Sequence, residues 1–342
     1  MIPVQNIYYM LSYAFQALQT QTYKNLATEN FHNTAELCAA ILDKGVSTQL
    51  KRGLGRDYVP KSESLSTLQG KLNISQSIKT QALLKKQMIC TYDEFSTNTP
   101  FNQIIKSTML LLLKANITNT RKKSLPNLLL FFSDVDKIDL RFVNWNQRYN
   151  RSNQTYQLLI GICYLVYNGL LQTQTDGTTE IMDFFDEQRM CHLYEKFLLE
   201  YYKKEHPELT ANASQIAWQL DDTENQMLPK MQTDIMLSKG NNILIIDAKY
   251  YSHMTQQQYG TNTLHSNNLY QIFTYVKNKE FELRNVEHTV SGMLLYAQTN
   301  EDIIPHNTYQ MSGNQITVRA LNLNQNFSGI ADELDAIINN SF

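Results

Sequence analysis

The apolar positions in the first third of the chain follow a helical period with one interruption. They recur at spacings of three and four residues from Val4 to Leu18, and helical patterns also cover Ala35 to Arg52 and Phe101 to Lys114. Between the last two, from about Arg52 to Tyr92, three Gly, a Pro and several Ser break the period, and a short alternating pattern surrounds Leu72. We therefore predict a mainly helical N-terminal region that contains a strand-and-loop excursion.

The pattern changes around residue 150. A polar stretch, 142–155, has no helical period, so we place a boundary there and expect domains at residues 1–150 and 151–342. The second domain is expected to begin with two helices, Tyr156 to Leu171 and Met182 to Lys204. Strand-like runs follow at Gln215–Leu220, Gln232–Leu237, Ile243–Lys249, Val290–Ala297 and Gln315–Leu321. Further helical patterns cover Asn268–Asn278 and Ile330–Ile338. This order predicts an α/β domain, so we expect the chain as a whole to be of the α+β or α/β class.

Composition narrows the possible classes of protein. Of the 342 residues, 42% are hydrophobic, which is enough to form cores, and no apolar stretch is long enough for a membrane helix. The four Cys are far apart and form no C-x-x-C pair, which argues against a zinc module and a disulfide framework and indicates a reducing, cytoplasmic compartment. The net charge is −2, so the chain lacks the overall positive field of most solitary DNA-binding proteins. A role on DNA would need local basic patches or a partner.

Candidate chemistry is concentrated on two adjacent predicted strands. The apolar run 243–246 is typical of a central strand, and a Lys-Gly-Asn-Asn turn connects it to a preceding strand that carries Asp234. Because side chains alternate, Asp247 and Lys249 share a face at the end of the second strand, and a hairpin brings Asp234 beside them. The two carboxylates and the carbonyl of Ala248 are oxygen ligands that suit Mg²⁺. Lys249 could position or help to deprotonate a nucleophile, or offset charge on a reacting phosphate, so the pattern indicates phosphodiester hydrolysis. The same D-x-K pattern also occurs at solvated strand ends.

Two helical features add to this pattern. Glu195 lies on the long predicted helix before the strands and could reach the metal, although a solvent-facing glutamate paired with a nearby lysine is an equal interpretation. Gln271 and Tyr275 are four residues apart and therefore share a helical face just after the second strand. Because Gln271 is a polar residue among apolar neighbours, we favour a role in the site.

The order of these residues resembles that of the PD-(D/E)XK nuclease superfamily. Glu195 comes first. Asp234 is followed by twelve residues and then by Asp247-Ala248-Lys249, and the motif Gln271-x-x-x-Tyr275 comes next. The whole chain also resembles the McrC family, the nuclease subunits of McrBC modification-dependent restriction systems. The residues that carry this second resemblance are Ile2-Pro3-Val4-Gln5-Asn6-Ile7-Tyr8-Tyr9-Met10-Leu11, Arg52-Gly53-Leu54, Tyr58, Gly70-Lys71, the regions of Asp93 and Asn102, Pro229, Thr233-Asp234 and Asp247-Ala248-Lys249-Tyr250-Tyr251. Thr233 stands where the superfamily name has Pro, which changes no ligand.

The resemblance implies a fold and a site. The fold is a restriction-endonuclease-like domain with a central mixed sheet, preceded by a partner-binding domain. The activity is Mg²⁺-dependent cleavage of double-stranded DNA that carries methylated cytosine. Asp234, Asp247 and Ala248 are expected to bind the metal, and Lys249 is expected to be catalytic. Gln271, Glu195 and Tyr275 are expected to complete the catalytic site.

The resemblance also implies a partner, a hexameric AAA+ GTPase called McrB, which binds GTP and whose GTP hydrolysis this chain would stimulate. The sequence is compatible with that division, because Gly70-Lys71 is followed by Leu72 and lacks the upstream glycine of a phosphate-binding loop. The excursion is then a candidate for projection into the pore of the ring. Two alternatives stay open: a non-catalytic regulatory subunit that binds the ring, and a stand-alone repair nuclease of the same superfamily that cuts without GTP. The complete Asp234, Asp247 and Lys249 set favours an enzyme.

Overall fold

A computed structural model describes residues 2–150, 153–170, 172–173, 179–180, 187–222, 227–251, 255–258, 261–298 and 304–342. Its α-helices are α1 (Val4–Ala14), α2 (Thr34–Arg52), α3 (Ile74–Lys79), α4 (Pro100–Leu112), α5 (Asn119–Leu129), α6 (Tyr156–Leu170), α7 (Glu187–Glu205), α8 (Ser266–Glu282) and α9 (Phe327–Ser341). Its strands are β1 (Asp57–Leu65), β2 (Lys71–Leu72), β3 (Met88–Ser96), β4 (Gln172–Thr173), β5 (Thr179–Glu180), β6 (Thr210–Asn212), β7 (Gln215–Ile216), β8 (Met231–Gln232), β9 (Ile235–Lys239), β10 (Asn242–Lys249), β11 (Thr255–Gln258), β12 (Thr261–Leu264), β13 (Thr289–Ala297), β14 (His306–Met311) and β15 (Asn314–Leu321). Short 3₁₀ helices cover Gln16–Gln19, Lys24–Thr28, Ala82–Lys85, Leu130–Phe132 and Leu140–Phe142.

The chain divides into two compact units at positions other than the expected boundary near residue 150. One unit contains Met1–Thr34 and Phe185–Phe342, and the other contains Ala35–Phe184. The first residues join the C-terminal unit because α1 packs against α7. The amide of Asn6 also donates to the carbonyls of Leu323 and Gln325 at 2.8 and 2.7 Å. These partners are more than 300 residues away in the chain, so a local change in composition could not predict the division.

The unit Ala35–Phe184 consists of α2 and α4 to α6 with the excursion. Thr99 caps α4, since its hydroxyl accepts the N–H of Asn102, and Pro100 occupies the first turn. In the excursion, β1 and β2 both pair antiparallel with β3. Gly70 is required there, because its φ is +66° and a Cβ atom would lie 2.4 Å from the carbonyl oxygen of Thr91. The strand-and-loop excursion expected from the sequence is confirmed, with the short helix α3 added to it.

The other unit is built on a six-stranded mixed sheet in the order β14-β15-β13-β10-β9-β6. The central strands β10, β13 and β15 are parallel, and β9 is antiparallel to β10. Residues 243–248 of β10 are all buried, as expected for a central strand covered on both faces. Helix α8 packs closely on β13 at Gly292, where a Cβ would lie 2.8 Å from side-chain atoms of Ile272 and Val276. The expected α+β class with a central mixed sheet is confirmed.

Several elements differ from the sequence-based prediction. The helix α5 was not predicted, because its sequence is polar and contains Pro126. The basic residues 121–123 lie within α5, and Arg121 forms an ion pair with Asp43 at 2.8 Å. The strands β6 and β14 were missed, because β14 is half exposed at the sheet edge and lacks apolar alternation. The strand expected at 215–220 is limited to β7. The first residues of the helix expected from Met182 lie outside the described residues.

None of the helices in the described ranges is long and apolar enough to cross a membrane.

Candidate active site

Two acidic residues face each other at the end of the β9–β10 hairpin. Gly240, with a φ of +60°, lies in the turn that joins the two strands. The antiparallel register pairs Ile235 with Ile246, so Asp234, which directly precedes β9, comes opposite Asp247 of β10. A carboxylate oxygen of Asp234, Oδ2, accepts the backbone N–H of Ala248 at 2.8 Å. The hairpin therefore brings the two carboxylates together, as the sequence predicts.

Asp247 is a buried carboxylate with an unused oxygen. The residue is 1% exposed, and its Oδ1 has no hydrogen-bond partner in the described part of the chain. Its Oδ2 lies 2.7 Å from Nζ of Lys249, an ion pair whose angles do not satisfy those of a hydrogen bond. A buried charge with an unsatisfied lone pair is costly unless a cation or donor approaches it. Asp247 is therefore arranged to accept a further positive ligand.

The ionisation of the cluster reflects burial and crowding of charge. Burial, followed by repulsion from Asp247 and Glu195, raises the pKa of Asp234 to about 7. Burial also raises the pKa of Asp247, although the ammonium of Lys249 opposes this shift. Burial by itself lowers the pKa of Lys249, but Asp247 outweighs it, and the net pKa lies above the ordinary value. The two buried carboxyl groups share one lysine, and their crowding favours the protonated forms.

Lys249 is held from the helix side by the Q-x-x-x-Y residues. Its Nζ donates to Oε1 of Gln271 at 3.2 Å, and Nε2 of Gln271 donates to the hydroxyl of Tyr275 at 3.0 Å. The Tyr275 hydroxyl donates to the backbone carbonyl of Gln232, two residues before Asp234, at 3.1 Å. Helix α8 and the β9–β10 hairpin are therefore linked by one chain of hydrogen bonds. The expectation that Gln271 and Tyr275 share a face is confirmed; their catalytic roles remain predictions.

Glu195 lies on α7 close enough to affect the charge on both aspartates. Its Oε1 accepts from Sγ of Cys191 at 3.1 Å, and its Oε2 lies 3.4 Å from Nδ1 of His192. Glu195 is thus paired with Cys191 and His192. In the described ranges, no group of three or more His, Cys, Asp or Glu side chains is arranged to hold a metal ion. A role of Glu195 in the metal site remains a prediction.

The oxygen atoms that remain fit a hard divalent cation. Asp234 and Asp247 provide carboxylates, and the carbonyl of Ala248 directly follows Asp247 in the chain. Mg²⁺ prefers such oxygens and is commonly bound by one or two carboxylates, with water and substrate phosphate as the other ligands. Such a cation would give the Oδ1 of Asp247 a partner and would relieve the repulsion between the two carboxyl groups. The donor set therefore fits Mg²⁺.

The structure adds two residues that sequence reasoning missed. Asn268 donates from Nδ2 to the hydroxyl of Tyr296 at 2.9 Å, and Tyr296 is the register partner of Lys249 on β13. Tyr296 is fully buried and lies beside Lys249 on the neighbouring strand. Asn268 could have been found, because it lies three residues before Gln271 on the same face of a predicted helix. Tyr296 gave no signal, since it is one aromatic residue in an apolar run.

Comparisons with known proteins agree on one family. The family model described as "McrBC 5-methylcytosine restriction system component" matches residues 4–297. The "Type IV methyl-directed restriction enzyme EcoKMcrBC" of Escherichia coli (strain K12) is 31% identical over 341 residues, which cover 97% of this chain and 96% of the relative.

A solved structure has a similar fold. It is the half-complex of a tetradecameric assembly of Thermococcus gammatolerans McrB AAA+ hexamers with bound McrC. The match has a TM-score of 0.52 and 18% identity, and it covers 98% of this chain and 76% of that chain. At this identity the match shows the fold alone.

Proposed function

Because the chain belongs to the family of McrBC 5-methylcytosine restriction system components, we propose that it is the nuclease subunit of such a system. In this proposal it is a Mg²⁺-dependent endonuclease, a phosphodiester hydrolase that cuts double-stranded DNA carrying methylated cytosine and so takes part in defence against phage. The observation that carries the proposal is the buried Asp247 carboxylate, with an unused oxygen opposite Asp234 and with Lys249 at 2.7 Å. The cytoplasm, where DNA and GTP are both present, is the compartment that this activity requires.

In the proposed hydrolysis each residue of the site has a separate role. Asp234, Asp247 and the Ala248 carbonyl would hold the metal. When bound, Mg²⁺ supplies positive charge that polarises the scissile phosphate and favours formation of the hydroxide nucleophile. Lys249 is oriented by Asp247 and Gln271, so its ammonium can stabilise the negative charge that develops on the phosphate.

Gln271 positions Lys249 and can also contact substrate. Its Oε1 accepts from Lys249, and one N–H donates to Tyr275. An amide has two N–H donors, so the second can hold a phosphate oxygen or the attacking water. Tyr275 acts through Gln271, because its hydroxyl fixes which end of the amide faces the lysine.

The proposal includes a McrB-like hexameric AAA+ GTPase partner. We infer that the partner binds GTP, recognises the modified DNA and is stimulated by this chain. The excursion supports this inference, because it exposes large apolar side chains that a solitary protein would bury. Exposed side chains of this kind between residues 57 and 96 are Tyr58, Leu68, Leu72, Ile74, Ile78, Leu83, Leu84 and Phe95. They form a candidate surface for insertion into the ring.

A cleavage assay with matched variants tests the nuclease function. The wild-type chain, its McrB-like partner, GTP and Mg²⁺ are mixed with methylated and with unmethylated plasmid. We expect cleavage of the methylated plasmid only, and a loss of at least ~10²-fold in rate for Asp247→Asn. Asp332→Asn is the matched control, because it makes the same change at an exposed carboxylate of α9 and should cut normally.

Each alternative predicts another result. Equal cleavage by folded Asp247→Asn would exclude this site. Cleavage without GTP or partner would favour the stand-alone nuclease. GTPase stimulation without any cleavage would favour the regulatory subunit.

A further inference from the structure

A cavity of about 600 Å³ lies within the unit Ala35–Phe184, apart from the residues of the candidate active site. One wall is the end of α4, with Leu110 and Leu111, and Lys114 just beyond it. The opposite wall is the segment 137–141, and Tyr167 of α6 completes the lining. Its size is within the range of about 300–1,000 Å³ in which pockets hold small ligands or parts of larger ones.

The lining of this cavity is locally positive, in contrast to the net charge of −2 of the chain. Lys114, Lys137 and Arg141 provide three cations against the single carboxylate of Asp139. Asp139 is already used by Arg141, whose Nε and Nη2 donate to it at 3.0 and 2.6 Å. Within the described ranges, the ammonium groups of Lys114 and Lys137 form no hydrogen bond and no close ion pair, and Lys137 has only a longer-range attraction to Asp139. Both ammonium groups can therefore contact an anionic ligand.

Aromatic rings adjoin these cations. Trp145 stacks on Tyr167, with centroids 5.4 Å apart and planes at 24°, and meets Tyr164 edge-on at 5.3 Å. Phe142 is 84% exposed, and the Arg141 guanidinium lies 5.8 Å from its ring centroid. Cations interleaved with aromatic rings are the combination with which proteins bind single-stranded nucleic acid, because the cations follow the backbone and the rings stack on bases.

We propose that this cavity binds a nucleotide of single-stranded DNA, with its base against Tyr167 and the leucines of α4 and its flanking phosphates at Lys114 and Lys137. A base can enter such a concave site only after it has left the duplex stack, so the cavity selects an unpaired strand. The proposal rests on the proposed function only in taking DNA as the ligand. It adds a DNA contact in the unit that does not carry Asp234 and Asp247, and it gives a chain with a net charge of −2 a local positive site for the DNA backbone.

Fluorescence anisotropy with labelled oligothymidylate, in EDTA to prevent cleavage, tests the proposal. The full chain should bind the single strand more tightly than a duplex. The double variant Lys114→Gln and Lys137→Gln should weaken single-strand binding at least ~10-fold. Because two phosphate contacts are lost, the slope of log K against log salt concentration should also become about 1.4 smaller in magnitude. The matched control is Lys122→Gln with Lys123→Gln, which removes the same charge from exposed positions on α5 and should leave both quantities unchanged.

Three results would overturn the proposal. The first is an equal loss of single-strand affinity in both double variants, and the second is equal affinity of the wild-type chain for the duplex and the single strand. The third is normal DNA binding by the Lys114 and Lys137 double variant together with lost stimulation of the GTPase partner. The last result would assign the cavity to the partner. Plasmid cleavage and oligothymidylate binding, measured on the same preparation of the wild-type protein, separate this proposal from the nuclease function. If the wild-type protein cut no DNA under any condition while the cavity variant still lost single-strand binding, only the nuclease function would fail.

Discussion

At the residue scale, the central feature is a lysine whose charge is held in place from two sides. Lys249 contacts the Asp247 carboxylate at 2.7 Å and the Gln271 amide at 3.2 Å. Fixing a flexible ammonium before substrate arrives reduces the reorganisation that accompanies charge development in the transition state. The same contacts balance part of the negative charge on Asp247.

Replacement of Lys249 separates these two roles. We expect Lys249→Gln to lower the rate of DNA cleavage by at least ~10²-fold, because a neutral amide cannot stabilise the developing charge. Lys279→Gln, on α8, is the control. The measurement is plasmid cleavage per folded molecule, with folding checked by circular dichroism. A folded Lys249→Gln protein with wild-type rate would show that the lysine serves only to balance Asp247.

Metal binding should be visible without any DNA. Mg²⁺ would relieve the repulsion between Asp234 and Asp247, and a ligand that binds only the folded state stabilises it. We expect millimolar Mg²⁺ to raise the melting temperature of the wild-type chain and to have little effect on Asp247→Asn. Asp332→Asn should respond to Mg²⁺ as the wild type does. Equal responses of the wild type and Asp247→Asn would argue against a metal site at this carboxylate.

At the scale of elements, the two ends of the excursion are tied to the helices behind it. The Tyr156 hydroxyl of α6 donates to Oδ1 of Asn102 at 2.7 Å and accepts the N–H of Gly55 at 2.7 Å. The Asn102 amide donates to the carbonyls of Gly55 and Thr97, which flank β1 and β3. One buried network therefore fixes both ends of the β1–β3 pair relative to α4 and α6.

Loss of one hydroxyl should loosen this connection. Tyr156→Phe leaves the Gly55 N–H and the Asn102 carbonyl oxygen without their partner, which should cost about 1–3 kcal/mol. We expect faster hydrogen exchange in peptides that cover residues 55–65 and 97–105, measured by mass spectrometry. Tyr164→Phe is a control on the same helix, because Tyr164 is 40% exposed. Unchanged exchange in Tyr156→Phe would show that the network does not limit opening of the excursion.

A second connection, from the end of α7 to α9, should depend on pH. Nε2 of His206 lies 2.9 Å from Asp335, and Nδ1 lies 3.0 Å from Glu208. Burial by itself lowers the pKa of His206, but these two acidic partners outweigh it, and the net pKa is raised. The folded state therefore binds the proton more tightly than the unfolded state does. The contribution of His206 to stability is complete below its pKa in the unfolded state, about 6.5, and is lost as the pH rises through its pKa in the folded state.

The measurement is the melting temperature from pH 6 to pH 8. We expect the wild type to lose stability over this range and His206→Gln to lose less, while the exposed control His32→Gln follows the wild type. A His206→Gln protein with the same pH profile as the wild type would show that this histidine does not gain affinity for protons on folding.

At the scale of the whole molecule, the two compact units suggest a division of tasks. The aspartates and Lys249 belong to the unit with the six-stranded sheet, and the apolar surface of the excursion belongs to the unit Ala35–Phe184. The division differs from a simple split at residue 150, because α1 contributes to the unit that carries the candidate active site.

The division predicts opposite effects of two sets of substitutions. Asp247→Asn should abolish cleavage and leave stimulation of the partner's GTP hydrolysis intact. Leu83→Ser with Leu84→Ser should lower GTPase stimulation by at least ~10-fold, because these side chains are 58% and 80% exposed and contribute apolar area to a partner. Leu130→Ser with Phe131→Ser is the control at exposed apolar positions outside the excursion. Loss of GTPase stimulation in folded Asp247→Asn would show that the site is coupled directly to the ring.

The sequence by itself determined the elements with a strong local pattern. The periods of α1, α2, α4, α6 and α8 and the apolar run of β10 depend on neighbouring residues, so they could be predicted closely. The order of Asp234, Asp247, Lys249, Gln271 and Tyr275 is likewise a property of the chain, and alternation along β10 with the period of α8 indicated which side chains share a face. The chemistry proposed for the site could therefore be predicted from the sequence without knowledge of the fold.

Only the tertiary structure decided which distant parts meet. It placed residues 2–34 with the C-terminal unit, paired the edge strands β6 and β14, and buried Asp247 with one oxygen unused. It also brought Lys114, Lys137 and Tyr167 around one cavity, although they lie on three separate segments. These features depend on packing between residues far apart in the chain, where side-chain volume and burial, not local period, determine the lowest free energy. No single stretch of sequence contains that information.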